Sequence, residues 1–349
     1  MRSRIETIVR AYHETRDFSG VCLVTRAGEI VFHEAYGFAH RGFGVPNRMT
    51  TRFDTASITK LFTATAVMQL VDRGLVVLDT RVMPFLGITG TAIPDEVTVF
   101  HLLTHTSGIA DDADEEAGED YELLFVDKPN YAIRTTRDFL PQFAYREPNF
   151  PPGTGVRYNN CAFVLLGLVI EQATGMAYRD YVRQHVFARA GMTGADFCAM
   201  DGVNADLAEG YKAVVQEDGT RSWKKNIYSY PPVGSPDGGA TVTAMDLDIF
   251  LRALREERLT SAESARTLLR PHVDIETQAG PRRMYGFGFE FFLDETGQVM
   301  TMQKDGINAG AGGMVRYLPQ TDTTLVVLAN QDCDIWSMCD DITPLLQTM

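Results

Sequence analysis

Cysteine and tryptophan are scarce in this chain of 349 residues, which contains five cysteines and two tryptophans. The cysteines are odd in number, lie at irregular intervals and form no Cys-x-x-Cys pair, and no histidine cluster of the zinc-binding kind accompanies them. A disulfide framework or a zinc site needs a paired arrangement, so we expect five free thiols. The sequence accordingly predicts neither a metal ion nor another cofactor.

Positive charge and long apolar runs are also in short supply. The chain has 32 Lys and Arg against 46 Asp and Glu, a net charge of −14, which opposes binding to nucleic acid or to anionic lipid. No stretch reaches the length of a transmembrane helix, and residues 1–10 lack the apolar core of a signal peptide. We therefore expect a cytoplasmic protein with no nucleic-acid or membrane partner; the oligomeric state stays open.

What the chain does have is an ordinary globular composition, with 45% hydrophobic and 22% charged residues, and enough length for two domains or for one with an insertion. Seven of its acids are concentrated in DDADEEAGED at residues 111–120. Charge runs of this kind are usually solvated, so we expect a solvent-exposed loop, with cation binding as the less favoured alternative.

The apolar periodicity separates the two ends of the chain from its middle. Alternation with a period of two predicts strands near both ends, whereas residues 75–207 show short helical segments and no alternating strand. We therefore predict an α/β (α+β) fold with a mainly antiparallel sheet flanked by helices. Residues 1–74 and 208–349 would form the sheet domain, and residues 75–207 an inserted all-helical domain.

The first chemically informative stretch is Ser57-Ile58-Thr59-Lys60, which opens a long apolar run and indicates the first turn of a buried helix. Helical spacing would place the Ser57 hydroxyl and the Lys60 amine side by side. Burial disfavours an ammonium ion, so a neutral Lys60 could accept the Ser57 proton and activate a nucleophile. The alternative is that Ser57 only caps the helix while Lys60 reaches solvent, because Ser-x-x-Lys is short enough to occur by chance.

Three further stretches follow in the order HLLTHTSG at residues 101–108, Tyr158-Asn159-Asn160 and Lys304-Asp305-Gly306. Together with the Ser-x-x-Lys stretch they resemble the serine β-lactamase and penicillin-binding protein superfamily, in particular its class C-like branch of β-lactamases, D-peptidases and esterases. The resemblance covers about residues 19–330, and four motifs in order are far more specific than one. The 101–108 stretch is interpreted as a structural signature of that branch.

The resemblance implies a β-lactamase/transpeptidase-like fold and acyl transfer through Ser57, with catalytic roles for three other matching residues. Lys60 is the implied base. Tyr158 is the implied proton shuttle, which protonates the leaving group and then activates the deacylating water; nearby ammonium groups favour its phenolate form. Lys304 would supply positive potential to Tyr158 and to the substrate.

The same resemblance implies a substrate-binding group. Asn160 would hold Lys60 and the substrate by hydrogen bonds, and the backbone N–H groups of Ser57 and of Ile307, the residue after Gly306, would form an oxyanion hole. Asp305 departs from the family pattern, since many penicillin-recognising members place a hydroxyl there. An aspartate would repel a substrate carboxylate or pair with the preceding lysine and cancel part of its field.

Three functions are consistent with these residues. The first is a carboxylesterase-like serine hydrolase of small esters or amides that need no carboxylate, and the second is a β-lactamase or D-amino-acid peptidase. The third is a catalytically silent binding homologue that keeps only the fold. We rank them in this order because of the missing signal peptide and because of Asp305. Loops at 111–157 and 226–240 are expected to shape the pocket.

Overall fold

A computed structural model describes residues 1–275 and 280–347 of the chain. Its main feature is an eight-stranded antiparallel sheet with the strand order β2-β1-β14-β13-β12-β11-β10-β9. Six short strands form three separate pairs, β3 with β4, β5 with β8 and β6 with β7. The strands are β1 Gly20–Arg26, β2 Glu29–Tyr36, β3 Phe38–His40, β4 Val45–Pro46, β5 Phe53–Asp54, β6 Tyr211–Val215, β7 Arg221–Lys225, β8 Thr241–Val242, β9 Val273–Ile275, β10 Arg282–Tyr285, β11 Glu290–Leu293, β12 Val299–Asn308, β13 Ala311–Leu318 and β14 Thr323–Ala329.

The helices occupy both ends of the chain and its middle. They are α1 Arg2–Thr15, α2 Thr59–Asp72, α3 Val82–Leu86, α4 Val99–Leu103, α5 Leu124–Asp127, α6 Leu140–Phe143, α7 Cys161–Thr174, α8 Tyr178–Val182, α9 Ala188–Ala190, α10 Ala244–Arg255, α11 Ala262–Leu268 and α12 Ile335–Gln347, with a π-helical turn at Arg183–Phe187. Within the described ranges no single helix has both the length and the apolar character to cross a bilayer; only α7 and the segment Tyr178–Ala190, which meet at a bend of 79°, pass that test as a pair.

The alternation of side chains along the sheet explains why helices cover both of its faces. In β1, Val21 and Leu23 belong to one core cluster, whereas Cys22 and Val24 belong to another. The second cluster packs α1 and α12 against the sheet, and the first packs α2, α7 and α10 against the opposite face. Since successive strand residues point to opposite faces, a continuous apolar run is what a sheet covered on both sides requires.

Helix α2 lies at the centre of the larger core. Every residue from Thr59 to Leu70 is buried, so this helix has no solvent-facing side. A helix that is apolar all round is buried on all sides, as its sequence indicates. Helix α7 packs against it and ends where Gly175 adopts the left-handed conformation (φ 69°) that favours glycine.

The predicted fold class is confirmed, and the differences are confined to short elements. The sequence patterns did not locate several short elements, among them the strands β3, β4, β5, β7, β8 and β9 and the helix α11. Between α2 and β6 the described chain contains helices and no strand of the main sheet, as predicted. The domain boundaries at 74/75 and 207/208 stay predictions.

Candidate active site

Ser57 lies in a tight turn that precedes α2. This turn, Ala56–Ile58, is a short 3₁₀-helix. Ser57 therefore lies just before α2, which begins at Thr59, and not in its first turn as predicted. The turn is preceded by an Asp54 carboxylate oxygen that accepts the Ala56 N–H at 2.7 Å, and Ala56 itself has a positive φ of 42°. A non-glycine residue with a positive φ is held in that conformation by its surroundings. Here the conformation places Ser57 at the N-terminal end of α2.

Lys60 is fully buried, one turn after Ser57, and its amine has three oxygen partners. Nζ lies 3.0 Å from Ser57 Oγ, 2.7 Å from Asn160 Oδ1 and 2.7 Å from the backbone carbonyl of Asp237. The predicted proximity of Ser57 and Lys60 is therefore present, and the alternative in which Lys60 reaches solvent is wrong. A lysine ammonium has three N–H donors and no acceptor, so these three contacts match its charged form.

Tyr158 reaches the same serine from the other side. Its phenol O–H donates to Ser57 Oγ at 2.8 Å, in a hydrogen bond that joins residues 101 positions apart in sequence. The amines of Lys60 and Lys304 both lie 5.1 Å from the centre of its ring. Both ammonium groups therefore lie over the ring at a distance typical of a cation–π contact.

Lys304 lies buried on β12, and its amine is paired with the carboxylate of the next residue, Asp305. The two form an ion pair of 2.7 Å, and the second Asp305 oxygen accepts the indole N–H of Trp336 at 3.2 Å. Burial would raise the pKa of Asp305, yet Lys304 and the Trp336 N–H hold it below its ordinary value. Burial would likewise lower the pKa of Lys304, and the Asp305 charge raises it instead. The pairing foreseen from the sequence is present, so Lys304 stays charged with much of its field compensated.

The predicted oxyanion hole lies where β12 meets the serine turn. A Cβ on Gly306 would stand 2.1 Å from the carbonyl oxygen of Thr55 and 2.9 Å from the Ser57 backbone nitrogen, so only glycine permits this approach. Ile307 follows at the cleft wall with its side chain 54% exposed. The strand thus brings the main chain of residues 306–307 next to the Ser57 N–H, as the predicted pair of donors requires.

His105, which belongs to the 101–108 stretch interpreted as structural, directly contacts the segment that carries Tyr158. Its ring centre is 4.6 Å from that of Tyr158, and its Nδ1 accepts the backbone N–H of Asn159 at 3.1 Å. Burial above all, reinforced by the charges of Lys60 and Lys304, puts the pKa of His105 well below its usual value, so the ring is neutral and carries its proton on Nε2. The motif at 101–108 therefore packs directly behind Tyr158, a contact that no spacing in the sequence indicated.

The acidic run at 111–120 is not simply the solvent-exposed loop that was predicted. Asp111 and Asp112 are 4% and 3% exposed, and the two oxygens of Asp111 accept the backbone N–H groups of Asn160 and Cys161 at 2.8 and 3.0 Å. A carboxylate there satisfies free N–H groups at the start of α7, where the helix dipole also favours negative charge. The prediction was wrong for both residues: Asp111 is buried because it caps the helix, and Asp112 is buried beside it and accepts the Ala113 N–H.

These two carboxyls and the Cys161 thiol are the one set among the described residues that could hold a metal ion, with ligand atoms all within 4.8 Å of one another. Burial raises the pKa of Cys161 well above its ordinary value, which favours the protonated thiol over the thiolate that binds metals. With Asp111 already engaged by two N–H groups, the arrangement is better suited to capping α7 than to coordinating an ion.

An open cleft of about 450 Å³ leads to Ser57. The predicted pocket-forming loops are confirmed, since the walls come mainly from residues 115–122 and 229–239. Burial raises the pKa of one wall residue, Asp54, to about 6, although the Ala56 N–H opposes this shift. The acidic side chains of the walls are Asp54, Glu115, Glu119, Asp120, Glu122 and Asp237.

Comparison with known proteins agrees with this site. The chain is 32% identical to esterase EstB of Burkholderia gladioli over 88% of its length and 83% of that protein, and 26% identical to penicillin-binding protein 4* of Bacillus subtilis over 95% and 72%. A crystal structure of a penicillin-binding protein from Bacillus halodurans has a TM-score of 0.90 at 38% identity, covering 98% of this chain and 99% of that one. The sequence profile of the Beta-lactamase family matches residues 5–348, so the chain belongs to the Beta-lactamase family and is a serine hydrolase.

Proposed function

We propose that the enzyme is a carboxylesterase-like hydrolase of small esters or amides that carry no carboxylate beside the scissile bond. The observation that carries this proposal is the ion pair between Lys304 and Asp305, with Trp336 bound to the same carboxylate. A lysine that is already paired attracts a substrate carboxylate weakly, and the Asp305 charge repels it. Some acidic side chains of the cleft walls act in the same direction, although Glu119 and Glu122 are paired with Arg146 and Lys212. The relative named an esterase supports the same choice.

The contacts support Tyr158, rather than the predicted Lys60, as the group that takes the Ser57 proton. Lys60 donates to three oxygens and so has no lone pair to offer. The Tyr158 hydroxyl donates to Ser57 Oγ at 2.8 Å, and proton transfer requires its ionised form, whose oxygen can accept the serine proton over the same distance while two ammonium groups lie near the ring. The cycle starts from the Tyr158 phenolate: as Oγ of Ser57 bonds to the substrate carbonyl carbon, the Ser57 proton passes to the phenolate oxygen. The carbonyl oxygen becomes an oxyanion that faces the N–H groups of Ser57 and Ile307.

Collapse of this intermediate breaks the bond to the leaving group, whose oxygen or nitrogen takes the proton from Tyr158. The acyl-enzyme on Ser57 is then attacked by water, which gives its proton to Tyr158 as its oxygen bonds to the acyl carbon. Departure of Ser57 Oγ, reprotonated by Tyr158, releases the carboxylic acid and restores the starting state. Lys60 and Lys304 keep their protons throughout and stabilise the charge that develops between them.

The second candidate is a β-lactamase or D-amino-acid peptidase. A solved structure with a TM-score of 0.90 is named a penicillin-binding protein. Lys304 is buried 5.1 Å from the centre of the Tyr158 ring, where a substrate carboxylate could compete with Asp305 for its amine. A silent binding homologue is disfavoured because Lys60 and Tyr158 both form hydrogen bonds with Ser57. We also propose a cytoplasmic location without nucleic-acid or membrane partners, which cell fractionation would test.

The deciding experiment measures intact mass and turnover with a p-nitrophenyl ester, a penicillin and a cephalosporin in parallel, with Ser57→Ala as the control. We expect Ser57-dependent ester hydrolysis and slow or absent acylation by the β-lactams. The matched variant Asp305→Ser, which frees Lys304, should raise the rate of penicillin acylation relative to the ester. Rapid β-lactam turnover by the unmodified enzyme would refute the first candidate and establish the second.

A further inference from the structure

The acidic loop does more than line the cleft, because its side chains bind the segment that carries Tyr158 and Asn160. Asp114 forms an ion pair with Arg157 at 2.6 Å, and Glu116 accepts the backbone N–H of Tyr158 at 3.0 Å. Asp111 accepts the N–H of Asn160 and Cys161, as described above. Four carboxylates within residues 111–116 thus contact four of the five residues from 157 to 161. The fourth of these carboxylates, Glu115, binds the side chain of Asn160, which itself contacts Lys60.

Glu115 Oε1 accepts a hydrogen bond of 2.8 Å from Nδ2 of Asn160. The same amide presents its oxygen to the Lys60 amine at 2.7 Å, and Lys60 in turn lies 3.0 Å from Ser57 Oγ. The four groups therefore form one chain of hydrogen bonds, from Glu115 through Asn160 and Lys60 to the nucleophile. Each link joins a donor to an acceptor, which is the condition for a stable polar network.

The orientation of the Asn160 amide decides whether this chain exists. Turned by 180°, the amide would place its NH₂ group against the Lys60 ammonium and its oxygen against the Glu115 carboxylate, two unfavourable contacts at once. A carboxylate only accepts hydrogen bonds, so Glu115 selects the orientation that leaves Asn160 Oδ1 facing Lys60. Asn160 is 6% exposed, whereas Glu115 is an exposed residue of the cleft wall that reaches it from the solvent side.

We propose that Glu115 is a positioning residue of the reaction: it fixes the Asn160 amide, and through it the Lys60 ammonium, against Ser57. This inference rests on the proposed Ser57-dependent hydrolysis and assigns to the acidic loop a part in acylation. Glu115 has no contact with the serine and acts only through Asn160. Its removal should therefore lower kcat for every substrate and leave KM largely unchanged.

The test compares Glu115→Ala with Glu115→Gln, whose side-chain carbonyl can still accept the Asn160 N–H. We expect Glu115→Ala to lower kcat for a p-nitrophenyl ester by about tenfold, which is below the effect of a 1 Å misplacement of a reacting group. Glu115→Gln should recover most of that loss. Asp127→Asn serves as the control, because it removes one negative charge from an exposed position of α5 that does not line the cleft, and it should retain the unmodified kcat.

A double-mutant cycle provides the sharper result. In an Asn160→Ala background, Glu115→Ala should change kcat by less than about twofold, since the only route for its effect is gone. A full additional tenfold loss in that background, an unchanged kcat in Glu115→Ala, or equal losses in Glu115→Gln and Glu115→Ala would each overturn the proposal. Labelling of Ser57 by a fluorophosphonate in the unmodified enzyme distinguishes failure of the hydrolase proposal from failure of the Glu115 proposal. Absent labelling refutes the hydrolase proposal itself. Normal labelling, together with a double-mutant cycle that shows no coupling, refutes only the role of Glu115.

Discussion

Replacing Gly306 by alanine is the change that most directly probes how the oxyanion hole is built. The added methyl group would lie 2.1 Å from the Thr55 carbonyl oxygen, 2.9 Å from the Ser57 nitrogen and 3.1 Å from the Ile58 nitrogen. All three atoms belong to the main chain, so no side-chain rotation can relieve the contact. Gly306 is also fixed by its pairing with Gly313 of the neighbouring strand β13, so the strand cannot simply tilt away.

The size of the effect follows from these distances. Ordinary contacts begin near 3.4 Å, so strand β12 and the serine turn must separate by about 1 Å, a displacement that typically lowers a rate by about a hundredfold when it affects reacting groups. The separation moves the N–H groups of Ser57 and Ile307 apart, and loss of one oxyanion donor costs about 3 kcal/mol of transition-state stabilisation. We therefore expect kcat/KM for a p-nitrophenyl ester to fall by at least about a hundredfold.

The assay is ester hydrolysis with a burst-phase measurement, which isolates acylation from later steps. Gly312→Ala is the matched control, because it lies opposite Ile307 in β13 and its Cβ would meet only the Ile335 side chain at 3.5 Å and more distant atoms. The control should retain kcat/KM within about twofold, and both variants should keep the native circular dichroism. A Gly306→Ala enzyme that is folded and as fast as Gly312→Ala would show that the close approach of β12 is not what aligns the oxyanion donors.

Three further changes test other parts of the reasoning. Tyr158→Phe removes the proton shuttle and should lower kcat for ester hydrolysis by about a hundredfold or more, without changing the thermal midpoint; equal kcat values would contradict the role assigned to the phenol. His105 has a folded-state pKa below its unfolded value, so stability is lost as the pH falls below about 6.5 by about 1.4 kcal/mol per pH unit. Urea titrations from pH 7 to 5 should show this extra slope in the unmodified protein and not in His105→Gln. Gly175→Ala places a methyl group at a left-handed position with free space around it, so it should cost about 1 kcal/mol of unfolding free energy and leave kcat unchanged; a stability unaltered in urea would contradict the assigned cap.

The sequence by itself determined the class of fold and the chemical identity of the central residues. Short continuous apolar runs specify strands such as β1 and β14, and the longer apolar run of α2 specifies a helix buried on every side, because both signals are local. Ser57, Lys60 and Tyr158 could be selected because their residue types and their order match a family in which that chemistry recurs. Short elements such as β9 and α11 could not be predicted, because so few residues carry too little periodicity to be distinguished from a turn.

Only the tertiary structure decided how the site is held together. The bond from Asn160 to Lys60 spans 100 positions of sequence, and that from Trp336 to Asp305 spans 31, and neither has a periodic signature. The acidic run could not be interpreted correctly from its composition, because a carboxylate is exposed or buried according to which N–H groups lie opposite it. Those N–H groups belong to the start of α7, and they meet Asp111 only after the chain has folded. The sequence thus supplies the reactive groups, while their orientation depends on polar partners that long-range packing brings within hydrogen-bond distance.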